Sequence, residues 1–266
     1  MQVFAGDSEG SMYIFEALET WREQKDCLFR LQLKQDLIHR IGVIQVLLVV
    51  SENLIFTISY DQTLKWFEAT ERERETHNEL NNPNKTIFTC LCWDYQEQEL
   101  YAADEKGYIY VINVYQEDKL FSKQLVKERI NKVEIVQDAR FLIIQTDFGM
   151  KSYKIKKGVK THDMEGHVDA ILKIIVLEPS KMITSHEEKI PDTAKVITAS
   201  FDNSILLWDY DKLEVITRME APEESELSCM TFLPNCCLVA TGHEDGAIRL
   251  WNLEINSSVL LKCHES

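Results

Sequence analysis

The sequence is short of glycine, proline, positive charge and long apolar runs. Nine glycines and five prolines in 266 residues are too few for a disordered chain. Lys and Arg number 29 against 44 Asp and Glu, a formal net charge of −15, so the chain as a whole repels a phosphate backbone. The one basic cluster is Lys154, Lys156, Lys157 and Lys160. It lacks the interleaved aromatic residues of a nucleic-acid groove, and Tyr153 beside it reads as core. The longest apolar run, from Ile41 to Val50, is ended by Glu52 and Asn53 and is too short to span a bilayer. Neither a nucleic acid nor a membrane is therefore expected as a partner.

Chemical signatures are also lacking. There is no Gly-rich phosphate loop, no Gly-x-Ser-x-Gly elbow and no His-Glu-x-x-His. His162, Asp163, Glu165 and His167 lie close together, but their spacing fits no common zinc pattern. His243-Glu244-Asp245 could be an acid–base cluster or simply a turn. No catalytic residue, cofactor or metal is expected, and the chain reads as a non-enzyme. Nothing at MQVFAGDSEG has the basic start and apolar core of a signal peptide. The seven cysteines, an odd number, then read as reduced thiols of a cytoplasmic protein. Cys90-x-Cys92 is no zinc spacing, and alternation puts both on one strand face as core filler.

What is present is a repeat. VITASFDNSILLWD ends in Trp208-Asp209 and LVATGHEDGAIRLWN ends in Trp251-Asn252. In each copy an apolar, β-branched run meets an acidic tight turn and a second apolar run follows: strand, turn, strand. The tryptophans stand about 43 residues apart, within the roughly 40–45 of a propeller blade. This pair of segments resembles the WD-repeat (WD40) family. The resemblance implies an all-β β-propeller of four-stranded antiparallel blades. It also implies a buried polar network made by a Ser/Thr of the second strand, an Asp of the turn, a Trp of the third strand and a His from a preceding Gly-His. One blade offers His167 (of Gly166-His167), Thr198, Asp202 and Trp208. The next offers Thr241, Asp245 and Trp251, with no Gly-His ahead of Leu227, so its network is expected to lack the His. A carboxylate beside an indole and an imidazole is tolerable in a small sheet only if every partner is present.

The other blades are weaker copies. VFAGDSEGSMYIFE starts the chain mid-blade, with Glu9-Gly10 at the turn, Phe15 at the Trp place and no first strand. LIFTISYDQTLKWFE puts Thr57 and Asp61 at the family offsets and Phe67 at the Trp place, which keeps the packing and loses the indole donor. The third blade has Gly107 in its turn, Lys106 at the Asp place and Ile112 at the Trp place. The fourth has Asp147 and Tyr153. The segments run roughly 1–33, 41–80, 85–126, 129–165, 166–221 and 227–262. Six visible units leave two readings open: a six-bladed ring, or part of a longer chain with a larger propeller.

The resemblance implies a non-catalytic protein-interaction scaffold. The last quarter is similar to large WD-repeat proteins of the ciliary and flagellar axoneme, which implies a structural component there. An adaptor such as a ubiquitin-ligase substrate receptor is the alternative. In the family the residue before the turn Asp points out of the top surface. Carried over, these are Ser8, Tyr60, Glu105, Thr146, Phe201 and Glu244. Tyr60, Phe201 and Glu244 are the candidate partner-binding residues, suited to basic or apolar peptide segments. A second candidate is the extended connection 178–193, which carries Met182, Ile183 and His186 among charges.

Overall fold

The computed structural model describes residues 2–17, 29–35, 38–69, 78–116, 120–136, 140–155, 159–177, 194–209, 212, 214–221, 225–233, 236, 238–253 and 257–262. The connection 178–193, with Met182, Ile183 and His186, lies outside them. The chain divides into two compact units, Met1–Val133 and Glu134–Ser266.

The first unit contains three antiparallel sheets. Sheet 1 is β1 (Gln2–Gly6), β2 (Met12–Ala17) and β3 (Phe29–Gln35). Sheet 2 is β4 (Val43–Val49), β5 (Leu54–Ser59), β6 (Thr63–Glu68) and β7 (Asn78–Asn81). Sheet 3 is β8 (Phe88–Asp94), β9 (Glu99–Asp104), β10 (Tyr108–Ile112) and β11 (Leu120–Gln124). Sheet 4 opens with β12 (Ile130–Val136), within which the unit boundary falls, and continues with β13 (Phe141–Thr146), β14 (Gly149–Lys154) and β15 (Val159–Met164). Sheet 5 is β16 (Ile171–Val176), β17 (Ala194–Ser200), β18 (Ser204–Asp209) and β19 (Glu214–Glu220). Sheet 6 is β20 (Leu227–Leu233), β21 (Leu238–His243), β22 (Ala247–Asn252) and β23 (Ser257–Lys262).

Each sheet is a meander in chain order, and all pairings are antiparallel. The all-β expectation holds: these are six blade-like sheets, five of them four-stranded. Among the described residues sheet 1 has three strands.

The meanders form because each hairpin's turn chemistry agrees with its strand pattern. In five hairpin turns, between β1 and β2 in sheet 1 and between the second and third strands of sheets 2, 3, 5 and 6, a residue near the end of the turn is left-handed: Gly10, Gln62, Gly107, Asn203 and Gly246 have φ of 93°, 68°, 82°, 59° and 76°. A three-residue hairpin closes this way, which selects Gly or Asn there. The strands bury β-branched and aromatic side chains between neighbouring sheets. Met12, Ile14, Ile38, Ile55 and Phe67 fill the layer between sheets 1 and 2. Phe56, Phe88, Trp93 and Tyr110 are among those between sheets 2 and 3. Trp208 sits between sheets 4 and 5, and Ile197, Leu207, Met230 and Trp251 between sheets 5 and 6. Side-chain amides cross two of these layers. Gln45 on β4 accepts from the Leu91 N–H at 2.8 Å and donates to its carbonyl at 3.3 Å, and Gln145 on β13 donates to the carbonyl of Ile171.

Candidate functional site: the turn networks and the residues above them

In sheet 5 the tight turn after β17 carries Asp202 back over the end of the sheet, where His167 arrives on the segment leading into β16. His167 Nδ1 lies 3.1 Å from Asp202 Oδ2, and Nε2 lies 2.7 Å from Thr198 Oγ1. Trp208 Nε1 donates to the same Thr198 oxygen at 2.8 Å. A carboxylate can only accept, so Nδ1 carries the proton and Nε2 accepts from the threonine hydroxyl. The result is a relay of one polarity: indole to hydroxyl, hydroxyl to imidazole, imidazole to carboxylate. Asp202 also accepts from the Val168 N–H, the Ser204 N–H and the Ser204 hydroxyl at 3.0, 2.9 and 2.6 Å.

Burial alone would raise the pKa of Asp202, but these hydrogen bonds, the Ser204 hydroxyl first, together with the nearby imidazole bring it down to about 2. Burial lowers the pKa of His167 despite Asp202, so the ring stays neutral. Gly166 is required by space: a Cβ there would lie 2.9 Å from the Trp208 ring and 2.8 Å from Leu206.

Sheet 2 builds the same knot with a histidine that no Gly-His announces. His39 Nε2 meets Thr57 Oγ1 at 2.8 Å, and Nδ1 meets Thr63 Oγ1 at 2.9 Å and Asp61 Oδ2 at 3.3 Å. The Arg40 N–H and the Thr63 N–H and hydroxyl complete the carboxylate's shell at 2.9, 3.0 and 2.6 Å. Phe67 stands where Trp208 stands, and it is buried in one cluster with Ile38, which holds the place of Gly166 before the histidine. The blade's Leu-Ile-His-Arg has no glycine ahead of the histidine to mark it.

Sheet 6 corrects two expectations. Its network does contain a histidine: buried His243 at the end of β21, whose Nε2 accepts from Thr241 at 3.0 Å and whose Nδ1 donates to the Ser225 carbonyl at 3.2 Å. Trp251 donates to Thr241 at 2.8 Å. The relay keeps its polarity and ends on a backbone carbonyl, so a carboxylate is not needed. Asp245 is accordingly exposed rather than buried structure. It holds the turn by accepting from the Ala247 N–H at 3.0 Å.

Sheets 1 and 3 use a second solution. By register Lys106 and Ile112 do occupy the Asp and Trp places, yet a buried carboxylate is still present two residues earlier. Asp104 accepts from the Lys106 and Tyr108 N–H groups at 2.9 Å each, from the Thr86 hydroxyl at 2.6 Å and from the Tyr110 hydroxyl at 2.8 Å. Asn84 donates to the same Tyr110 oxygen at 2.8 Å. Burial, then Asp104, pushes the Tyr110 phenol up to about 12. In sheet 1 Asp7 accepts from the Glu9 and Ser11 N–H groups at 3.0 and 2.8 Å and from the Tyr13 hydroxyl at 3.0 Å. Here Asp7, not Glu9, anchors the turn. The shared pattern DSEGSMY and DEKGYIY, Asp-x-x-Gly-x-x-Tyr, was the signal that could have found both.

Sheet 4 departs furthest. Its turn is one residue shorter, so Thr146 pairs with Gly149 as the last strand residue. It is 1% exposed, not a surface residue. Its hydroxyl closes the turn with Gly149 and Phe148 at 3.2 Å each. Asp147 is exposed, and Tyr153 is buried.

Above the turns, Tyr60 in the first unit is 53% exposed. Phe201 in the second unit is 44% exposed, and Glu244 and Ser8 are exposed. Tyr60, Phe201 and Glu244 each directly follow the last residue of their strand, β5, β17 or β21. Glu105 is half-buried. Among the described residues no group of three or more His, Cys, Asp or Glu is placed to hold a metal ion.

Residues 214–252 match the WD domain, G-beta repeat family. The match runs from β19 of sheet 5 through β22 of sheet 6, staggered by one strand against the sheets. The chain is similar to human apoptotic protease-activating factor 1, 25% identical over 63% of this chain and 12% of that protein. It is also similar to mitochondrial division protein 1 of Candida glabrata, 38% identical over 23% of this chain and 9% of that protein. A third relative is human transducin beta-like protein 3, 28% identical over 36% of this chain and 12% of that protein. The matched part thus spans about a tenth of each relative's length.

Proposed function

Since this chain carries WD repeats, whose kind serves as protein-interaction scaffold or adaptor, we propose that it is a non-catalytic scaffold that captures protein segments on its acidic turns. The observation that carries the reading is the exposure of Phe201, with Glu244 on the next sheet of the same unit. Burial gives no reason for an aromatic ring at that turn, and an exposed ring with an acidic neighbour suits an apolar or Arg/Lys side chain. Tyr60 offers the same chemistry in the first unit. The partner is a protein rather than nucleic acid or membrane, in keeping with a net charge of −15. The setting we propose is cytoplasmic, as a structural component of the axoneme. That finer reading rests on the likeness of ITASFDNSILLWD and VATGHEDGAIRLWNLE to axonemal WD-repeat proteins.

The test combines Phe201→Ala with Glu244→Lys in the tagged protein, followed by affinity capture and mass spectrometry. The melt should hardly change, and the captured partner should bind about 2 kcal/mol or more weaker. Retained binding with an intact fold removes the turn surface from the proposal. Recovery of ubiquitin-ligase subunits in place of axonemal proteins overturns the axonemal setting while leaving the scaffold.

A further inference from the structure

The opposite end of the first unit carries a second aromatic surface. Three turns meet there: 50–53 between β4 and β5, 95–98 between β8 and β9, and 113–116 between β10 and β11. They lie at the far ends of the strands from the turns of Asp61 and Asp104. Glu52 ties them together. Its Oε2 accepts from the Tyr115 hydroxyl at 2.5 Å, and its Oε1 accepts from Gln98 Nε2 at 3.3 Å. Each turn is also held from within. The Asn53 N–H donates to the Val50 carbonyl at 3.2 Å, the Gln96 N–H to Asp94 at 3.0 Å, and the Tyr115 N–H to Asn113 at 3.0 Å. Despite this ordering, Tyr115 is 56% and Tyr95 52% exposed, and Val50 is exposed as well.

The charge is of one sign. The three turns hold two carboxylates, Glu52 and Glu97, and no lysine or arginine. Hydrogen bonding from Tyr115 keeps Glu52 below the usual carboxylate range, so it stays ionised. Two exposed phenol rings, an apolar Val50 and fixed negative charge form a surface complementary to a guanidinium, which can stack on a ring while meeting a carboxylate. Each turn is already held by its own hydrogen bonds, which lowers the ordering cost of binding.

We propose that turns 50–53, 95–98 and 113–116 form a docking surface for an extended protein segment that presents arginine beside apolar side chains. The surface is separate from Phe201 and Glu244 and stands or falls independently of them.

The probe is a short fluorescein-labelled peptide of alternating arginine and leucine, with a glutamine-for-arginine peptide as control. Anisotropy should show binding of the arginine peptide only. Tyr115→Ala and Glu52→Gln should each weaken it about tenfold or more, whereas Glu214→Gln on β19, which removes one exposed charge elsewhere, should leave it unchanged. Glu52→Gln alters no ring and no backbone, so it reads the same loss should Tyr115→Ala fail to fold. Absence of binding, equal loss in Glu214→Gln, or retention in both surface variants overturns the proposal. In the last two cases the peptide is responding to overall charge or to another surface.

Discussion

A single hydroxyl organises each relay. Thr198 Oγ1 accepts from the Trp208 indole N–H and its hydroxyl donates to His167 Nε2, so both of these buried donors are met. Asp202 terminates the chain, and Asp202→Ala would leave the His167 Nδ1 proton, the Val168 N–H and the Ser204 hydroxyl without it. That change should cost about 1–3 kcal/mol in urea unfolding. Asp245→Ala should cost far less, because Asp245 is exposed and the sheet 6 relay ends on the Ser225 carbonyl instead. Equal midpoints for the two variants would sink the idea of a shared relay with different ends. In sheet 3, Tyr110→Phe removes one of the donors that hold buried Asp104 and leaves Asn84 Nδ2 without its acceptor. A loss of about 1–2 kcal/mol is expected. Tyr115→Phe, at an exposed hydroxyl, serves as the comparison and should shift the melt much less.

At the scale of the element, the hairpin turn decides which residue reaches the network and which reaches water. Three-residue turns place Tyr60 and Phe201 outside and the next residue, Asp61 or Asp202, inward. The two-residue turn of sheet 4 moves the boundary by one, which buries Thr146 and leaves Phe148 80% exposed. Glycine is demanded by contact in some turns and by dihedral alone in others. At Gly107, φ is +82° and a Cβ would fall 2.2 Å from the Val126 carbonyl oxygen. At Gly149, φ is +123° and nothing lies within 4 Å of that position. Gly149→Ala therefore pays only for the dihedral, about 1–3 kcal/mol, and Gly107→Ala should cost clearly more because the Val126 backbone, which follows β11, must also give way. A thermal melt in which Gly149→Ala is the worse of the two would contradict this account.

For the whole molecule the buried imidazoles set an acid-side limit. Burial lowers both His39 and His167 below the ordinary histidine value despite their aspartates. As pH falls through about 6.5 the unfolded chain takes up protons that the folded chain refuses. Stability is therefore full above that value and declines below it. Asp202, held at about 2, adds a second loss between about 3.9 and its folded value, where again only the unfolded state gains the proton. Urea midpoints should drop between roughly pH 7.5 and 5.5, and a flat profile across that window would overturn the assignment of neutral buried rings.

Much of this was written in the local sequence. Alternation and tight-turn residues are local properties of the chain, so the six strand–turn–strand units and the Thr, Asp and Trp of sheets 5 and 6 could be read at fixed offsets. The partners that arrive from another strand could not. His39 reaches Thr57 across 18 residues, and Thr86 reaches Asp104 across the same distance; their roles depend on which loop returns to the sheet end. Nor could the sequence alone tell a buried Asp202 from an exposed Asp245, since both sit at one offset from a Thr and a Trp. Packing settles that choice. Where an imidazole arrives from the preceding loop it needs a carboxylate, and where His243 fills the space from within its own strand a carbonyl is enough. The Glu52 surface is likewise tertiary in origin, because three turns separated in the chain converge only when sheet 2 packs on sheet 3 with β4 against β8.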